Sequence, residues 1–144
     1  MENIEKYQRY AERIEIFKGF SPEDIAHILQ KGKVFEFPQG KAIFHEGQTG
    51  NSLFVVLSGK VGLYKRGKEI AVLNPGDVFG EMALLTESPR TASAVALTMV
   101  RLLSLDEKQI TQVLDSKVAV KFLMNVIRML CHRLDKMNIT ICRT

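Results

Sequence analysis

Between Lys33 and Leu105 the chain is a succession of short apolar runs rich in valine, isoleucine and phenylalanine, divided by glycine-bearing turns. The runs fall at 33–37, 42–45, 53–57, 61–64, 70–73, 93–97 and 100–105, each four to six residues long. That is strand length, too short for helices, and the β-branched and aromatic content agrees. Turn signals stand between them at Pro38-Gln39-Gly40, Gly47 to Gly50, Ser58-Gly59, Arg66-Gly67 and Asn74-Pro75-Gly76-Asp77. Short strands this closely spaced bury their apolar sides by stacking in two layers or by closing on themselves. The expected fold is therefore mainly β: a sandwich, jelly roll or barrel.

The flanks change texture. Ser21-Pro22-Glu23-Asp24 supplies an N-cap, a proline in the first turn and an acid at the third position. Ile25, Ile28 and Leu29 then form a buried face, and Gly32 ends the helix. An earlier helix is expected over 3–15, where Ile4, Tyr7, Ala11 and Ile14 lie near helical spacing. After Leu105 a short helix is expected over 106–114, followed by one long helix from Val118 to the end. Along it Val120, Leu123, Ile127, Leu130, Leu134, Met137 and Ile141 alternate spacings of three and four, the a and d positions of a coiled-coil seam. Phe122, Val126 and Met129 make a second stripe. One stripe is expected to pack on the β layers and the other on a second copy of the chain. The expected division is 1–32 for the N-terminal helices, 33–105 for the β region and 106–144 for the C-terminal helices, all within one domain.

The 144 residues, 46% hydrophobic and 25% charged, suit a single globular domain with a real core. The net charge of +4 is spread along the chain. A nucleic-acid binder would concentrate its excess in a stripe or arm. Cys131 and Cys142 form no CxxC pair and are read as free thiols. The N-terminus lacks the basic start and apolar run of a signal peptide, and no apolar stretch reaches the ~18 residues of a membrane span. The expectation is a soluble, cytoplasmic protein without a membrane segment. Of His27, His45 and His132 only His45 falls in the β region, so no metal cluster is expected there. No nucleophile elbow or Walker loop is present either. The expectation is a non-enzyme with neither metal nor cofactor.

The stretch from Phe79 to Arg90 interrupts the β pattern and carries the chemistry. It reads Phe79-Gly80-Glu81-Met82-Ala83-Leu84-Leu85, then a link, then Pro89-Arg90-Thr91-Ala92-Ser93. Gly80 lets backbone approach a ligand closely. Residues 81–85 can form a helical turn whose free N–H groups face an anion. Arg90 offers a planar, permanently charged fork suited to phosphate oxygens, with the Thr91 hydroxyl beside it. Glu81 is a pure acceptor, able to take a hydrogen bond from a sugar hydroxyl. Phosphate and sugar recognition in one short segment is what a nucleoside monophosphate requires. The plainer alternative for Arg90 is a surface ion pair with Glu87.

This segment, 79–93, resembles the phosphate-binding cassette of the cyclic-nucleotide-binding family, shared by protein kinase A regulatory subunits, cyclic-nucleotide-gated channels and the bacterial catabolite activator. Lys41 to Gly50 looks like the family's first hairpin, Leu53 to Val61 like its next strands, and Leu73 to Asp77 like its lead-in to the cassette. The resemblance implies an antiparallel β-roll, or double-stranded β-helix, with N-terminal helices, a short cassette helix and a long C-terminal helix. It implies a signal-transduction sensor, of a stand-alone bacterial-like kind, whose ligand moves that last helix. Glu81 would accept from the ribose 2′-hydroxyl, while Gly80, Met82 and Ala83 would offer backbone groups, flanked by Phe79 and Ala92. Arg90 would pair with the cyclic phosphate and Thr91 would hydrogen-bond it.

The Arg-Thr-Ala-Ser string is closer to the channel version than to the kinase version, which has alanine after the arginine. A threonine there can also meet the 2-amino group of a syn guanine, which keeps cGMP beside cAMP. In the family the long helix closes the base end, with Asn138 first and Arg133 second as the candidates here. Cassettes that have lost nucleotide binding usually lack the glutamate or the arginine, and both are present. The sequence ends at Thr144, without room for the catabolite activator's helix-turn-helix, so no DNA binding is expected of this chain alone. The expected partners are an unidentified effector protein and a second copy, joined through the C-terminal helix. The alternatives are a non-nucleotide dimerisation module on the same roll, or a fragment of a transcription regulator without its DNA-binding part.

Overall fold

The computed structural model describes residue 9 and residues 13–113 and 116–141, with 112, 113, 116 and 137–141 described by backbone alone. Eight strands follow in order: β1 Lys33–Phe37, β2 Ala42–Phe44, β3 Ser52–Ser58, β4 Val61–Lys65, β5 Lys68–Leu73, β6 Val78–Phe79, β7 Ser93–Ala96 and β8 Val100–Asp106. They form two four-stranded antiparallel sheets, β1-β8-β3-β6 and β2-β7-β4-β5. This order is that of an eight-stranded jelly roll. The expected mainly β roll is therefore the observed architecture. Seven strands coincide with the apolar runs. The eighth, β6, is two residues long, too short to carry a periodicity, and pairs Val78 and Phe79 with Val55 and Phe54 of β3.

Alternation along β3 and β8 sorts the core into two parts. Val56, Val100 and Leu102 point between the sheets, where they meet Val61, Leu73, Phe79, Ala94 and Ala96. Leu53, Val55, Leu57, Leu103 and Leu105 point the other way, into a second core shared with the helices. Both faces of these central strands are buried, which is why they read as near-continuous hydrophobic runs.

Helix α1, Pro22–Lys31, begins as its sequence requires. The Ser21 hydroxyl accepts from Asp24 N at 3.1 Å, and Ser21 N donates to the Asp24 carboxylate at 3.4 Å. Gly32 ends it for a reason other than the one expected. Its backbone is extended, with no positive φ, but a Cβ there would lie 2.8 Å from the side chains of Leu103 and Leu105. Space, and not backbone conformation, selects glycine at this stop. Of the helix expected over 3–15, Ile4, Tyr7 and Ala11 lie outside the described residues. Arg9 and Arg13 are helical, and a 3-10 turn follows at Glu15–Phe17.

Helices α2 (Glu81–Thr86) and α3 (Glu107–Val113) are short, and α4 (Ser116–Ile141) is long, starting two residues before the expected Val118. Phe122 and Val126 of α4 are buried against the roll. The buried Asn125 fixes the contact: its Nδ2 donates to the carbonyls of Ile16 at 2.8 Å and Lys18 at 3.0 Å. The seam stripe faces away, with Val120, Leu123, Ile127 and Leu134 exposed and Leu130 half-buried against the core. The Met137 and Ile141 side chains, and Cys142, lie outside the described residues. Cys131 is an exposed free thiol. No helix among the described residues is long and apolar enough to cross a membrane.

Candidate functional site

Strand β6 ends at Gly80, whose φ of +77° turns the chain sharply into α2. Glycine is required there twice over. The left-handed backbone disfavours a side chain, and a Cβ would stand 2.7 Å from Arg90 Nη1. After α2 the chain returns through Arg90, tied to the loop before β3 by bonds from Gly47 N to Arg90 O and from Arg90 N to Gln48 O, both 2.8 Å.

These turns bring the Arg90 side chain inward. It is only 7% exposed. Nη1 donates to the carbonyls of Ser52 and Gly80, both at 3.0 Å. The guanidinium carbon sits 4.4 Å above the Phe44 ring and 5.5 Å from that of Phe54, and Phe54 in turn stacks on Phe79. Such faces hold a cation in place without neutralising it. Burial pulls the Arg90 pKa below the ordinary arginine value, because the charged form loses its water. No carboxylate pairs with it among the described residues, so the surface ion pair with Glu87 is not formed. Nε and Nη2 make no hydrogen bond among those residues either. Their edge faces Gly50, where a Cβ would come within 2.6 Å of Nη2 and 2.8 Å of Nε.

The second charged feature joins α2 to α4. Arg133 Nη1 donates to Glu81 Oε1 at 2.9 Å, and Nη2 donates to the Val78 carbonyl at 2.6 Å. The Glu81 side chain is 12% exposed and that of Arg133 40%. Glu81 Oε2 has no partner among the described residues.

Between these features lies a cavity of about 270 Å³. Nine of the ten residues singled out from the sequence line it: Phe79, Gly80, Glu81, Met82, Ala83, Arg90, Thr91, Ala92 and Arg133. The side chain of Asn138 lies outside the described residues. Arg133, a base-end candidate in the sequence, lines the cavity and also grips Glu81, because α4 carries it past the start of α2. The sequence reading missed the wall formed by Leu63 of β4 and by Ala71 and Leu73 of β5. The runs at 61–64 and 70–73 that carry them were legible as strands; which cavity they lined was not. It also missed Phe44, Phe54, Ser52 and Gly50, which hold Arg90. Among the described residues no group of His, Cys, Asp and Glu is placed to hold a metal ion.

The family model for the cyclic nucleotide-binding domain matches residues 34–117. The CRP-like cAMP-activated global transcriptional regulator of Mycobacterium tuberculosis is 32% identical over 131 residues, covering 88% of this chain and 58% of that protein. The cyclic AMP receptor protein of Thermus thermophilus is 44% identical over 95 residues, covering 62% of this chain and 44% of that protein. The chain thus spans about half the length of the curated relatives it matches. In three dimensions it is similar to the Thermus thermophilus catabolite activator protein, with a TM-score of 0.77 at 34% identity over 88% of this chain and 61% of that one. With the match over more than half its length, the chain belongs to the cyclic nucleotide-binding domain family.

Proposed function

We propose that the chain is a sensor that takes up cAMP, and cGMP beside it, in this cavity and passes its occupancy to α4. The observation that carries the reading is Arg90: a buried guanidinium, braced by two carbonyls and two rings, with no acid among the described residues to neutralise it. A charge held this way has a standing desolvation cost that an incoming anion relieves. The single charge of a cyclic phosphate matches it. Oε2 of Glu81 is available to a ribose 2′-hydroxyl while Arg133 holds Oε1, and Leu63, Ala71 and Leu73 offer an apolar wall to a purine. That the Mycobacterium tuberculosis relative is cAMP-activated supports cAMP as the ligand. Because Arg133 ties Glu81 and Val78 to α4, a shift of Glu81 towards a ribose reaches that helix directly. The partners in this reading are a second copy and an effector protein.

Calorimetry with cAMP and cGMP tests the reading. Both are expected to bind, and Thr91→Ala is expected to weaken cGMP more than cAMP. Equal losses would mean that Thr91 meets only the phosphate common to the two. If neither nucleotide gives heat of binding, the chain is instead a dimerisation module on the same roll, a reading that the exposed stripe of α4 favours.

The sugar contact has its own test. Without the 2′-hydroxyl, Glu81 Oε2 stays desolvated and unpaired, a loss of roughly 1–3 kcal/mol. 2′-Deoxy-cAMP is therefore expected to bind about 5- to 150-fold more weakly than cAMP. In Glu81→Ala the two ligands should come close to parity. An undiminished gap would move the hydroxyl contact to another residue.

A further inference from the structure

At the far end of β3 from Ser52, about 20 Å along the strand, a second cavity of about 260 Å³ is lined by Arg9, Arg13, Arg101 and Ser58 over a floor of Ile14, Leu57 and Pro75. No acid lines it. Glu36, opposite Arg101 across β1 and β8, forms an ion pair with it, Oε1 standing 3.6 Å from Nε, but its side chain is 64% exposed. Arg101 Nε is itself buried and has no hydrogen-bond partner among the described residues. Arg9 and Arg13 have no acid partner among the described residues.

The walls are built rather than incidental. The register between β3 and β8 shifts between Val56 and Ser58, so Leu57 turns into the core while Ser58 comes opposite Arg101. A bulge of this kind re-aims side chains at a strand end. The turn before β6 is tied to the same strand, Gly76 N donating to Val56 O at 2.8 Å and Val56 N to Asp77 O at 2.9 Å. Gly76, at φ +97°, lies against the Arg13 carbonyl, where a Cβ would be 3.1 Å away. The Arg13 backbone is thereby packed against the turn before β6, and Arg13 lines the cleft together with Arg101.

Three guanidiniums converging on one concavity repel one another, and a buried donor without a partner adds a further cost. We propose that this cleft is a second ligand site, separate from the cassette, that takes a multiply charged phosphate-type oxyanion of a small molecule. Arginine forks match phosphate oxygens in pairs, and two or three of them suit a pyrophosphate-like charge better than a single negative one.

The test is an NMR titration of the full chain with inorganic pyrophosphate, read at the Nε–H resonance of Arg101. Reading it there keeps binding at the cassette from registering. The wild-type resonance is expected to move saturably, and sodium chloride at matched ionic strength should not reproduce the change. In Arg13→Gln the apparent Kd should rise at least roughly tenfold. Arg101→Gln, followed at the Arg13 resonance, should show the same loss and covers the case in which the first variant folds poorly. A linear, unsaturating shift, a chloride response of equal size, or an unchanged Kd in both variants would overturn the proposal.

Discussion

Arg90→Ala is expected to weaken cAMP binding at least roughly 100-fold. With Nη1 spent on the Ser52 and Gly80 carbonyls, the Nε and Nη2 edge is what remains for the phosphate. Two charge-assisted bonds from a water-poor site are worth ~1.5–3 kcal/mol each, so even the lower end of that range reaches the stated loss. Arg90→Lys should fail nearly as badly, because a single ammonium cannot serve two carbonyls on one side and a phosphate on the other. The ligand-free alanine variant should still fold. Losing Nη1 leaves two carbonyls short of a donor, but the variant is also freed of a buried charge, and the two effects oppose each other. Calorimetry beside a melting curve separates binding from folding. An alanine variant that melts like the wild type and binds cAMP within about threefold of it would place the phosphate elsewhere.

The second large effect concerns assembly. Val120, Leu123, Met124, Ile127 and Leu134 are 42–59% exposed along one side of α4, while Phe122 and Val126 on the other side are buried. A fully buried aliphatic side chain gains ~1.5–3 kcal/mol. Half of that, at five positions on each of two helices, amounts to on the order of 10 kcal/mol, against an association cost of roughly 4–15 kcal/mol. The exposed face is thus of a size that can offset much of that cost, and a homodimer through it is the expected assembly. Ile127→Glu with Leu134→Glu should dissociate it, since each pair of facing carboxylates would be buried without a counter-charge. Leu130 is the wrong position to alter, because it already packs on its own roll. Light scattering with and without cAMP reads the result. A monomeric wild type, or a double variant that stays dimeric, would remove this face from the interface.

The two predictions draw on different layers of the molecule, and so does what could be read from the chain beforehand. Signals that act within a few residues were legible. Ser21 and Asp24 close their box across three positions. Seven of the eight strands showed as short apolar runs between turns, and Gly80, Glu81, Arg90 and Thr91 showed a phosphate-and-sugar chemistry that the cavity then gathers. The two apolar stripes of α4 could also be separated, by a spacing that any helix imposes on its side chains.

Which stripe would be covered was a matter for the roll, as was the two-residue β6, which is a strand only because β3 lies beside it. Gly32 looked like a conformational stop and is instead a point of close contact with Leu103 and Leu105. Arg90 announced its charge, yet its confinement depends on Ser52, 38 positions away, and on the rings of Phe44 and Phe54. The grip of Arg133 on Glu81 and Val78 spans 52 and 55 positions. Capping and periodicity depend on covalent neighbours, so residue order alone determines them. A buried charge and its partners depend on which distant segments the packed core brings together, and only the tertiary structure decides that.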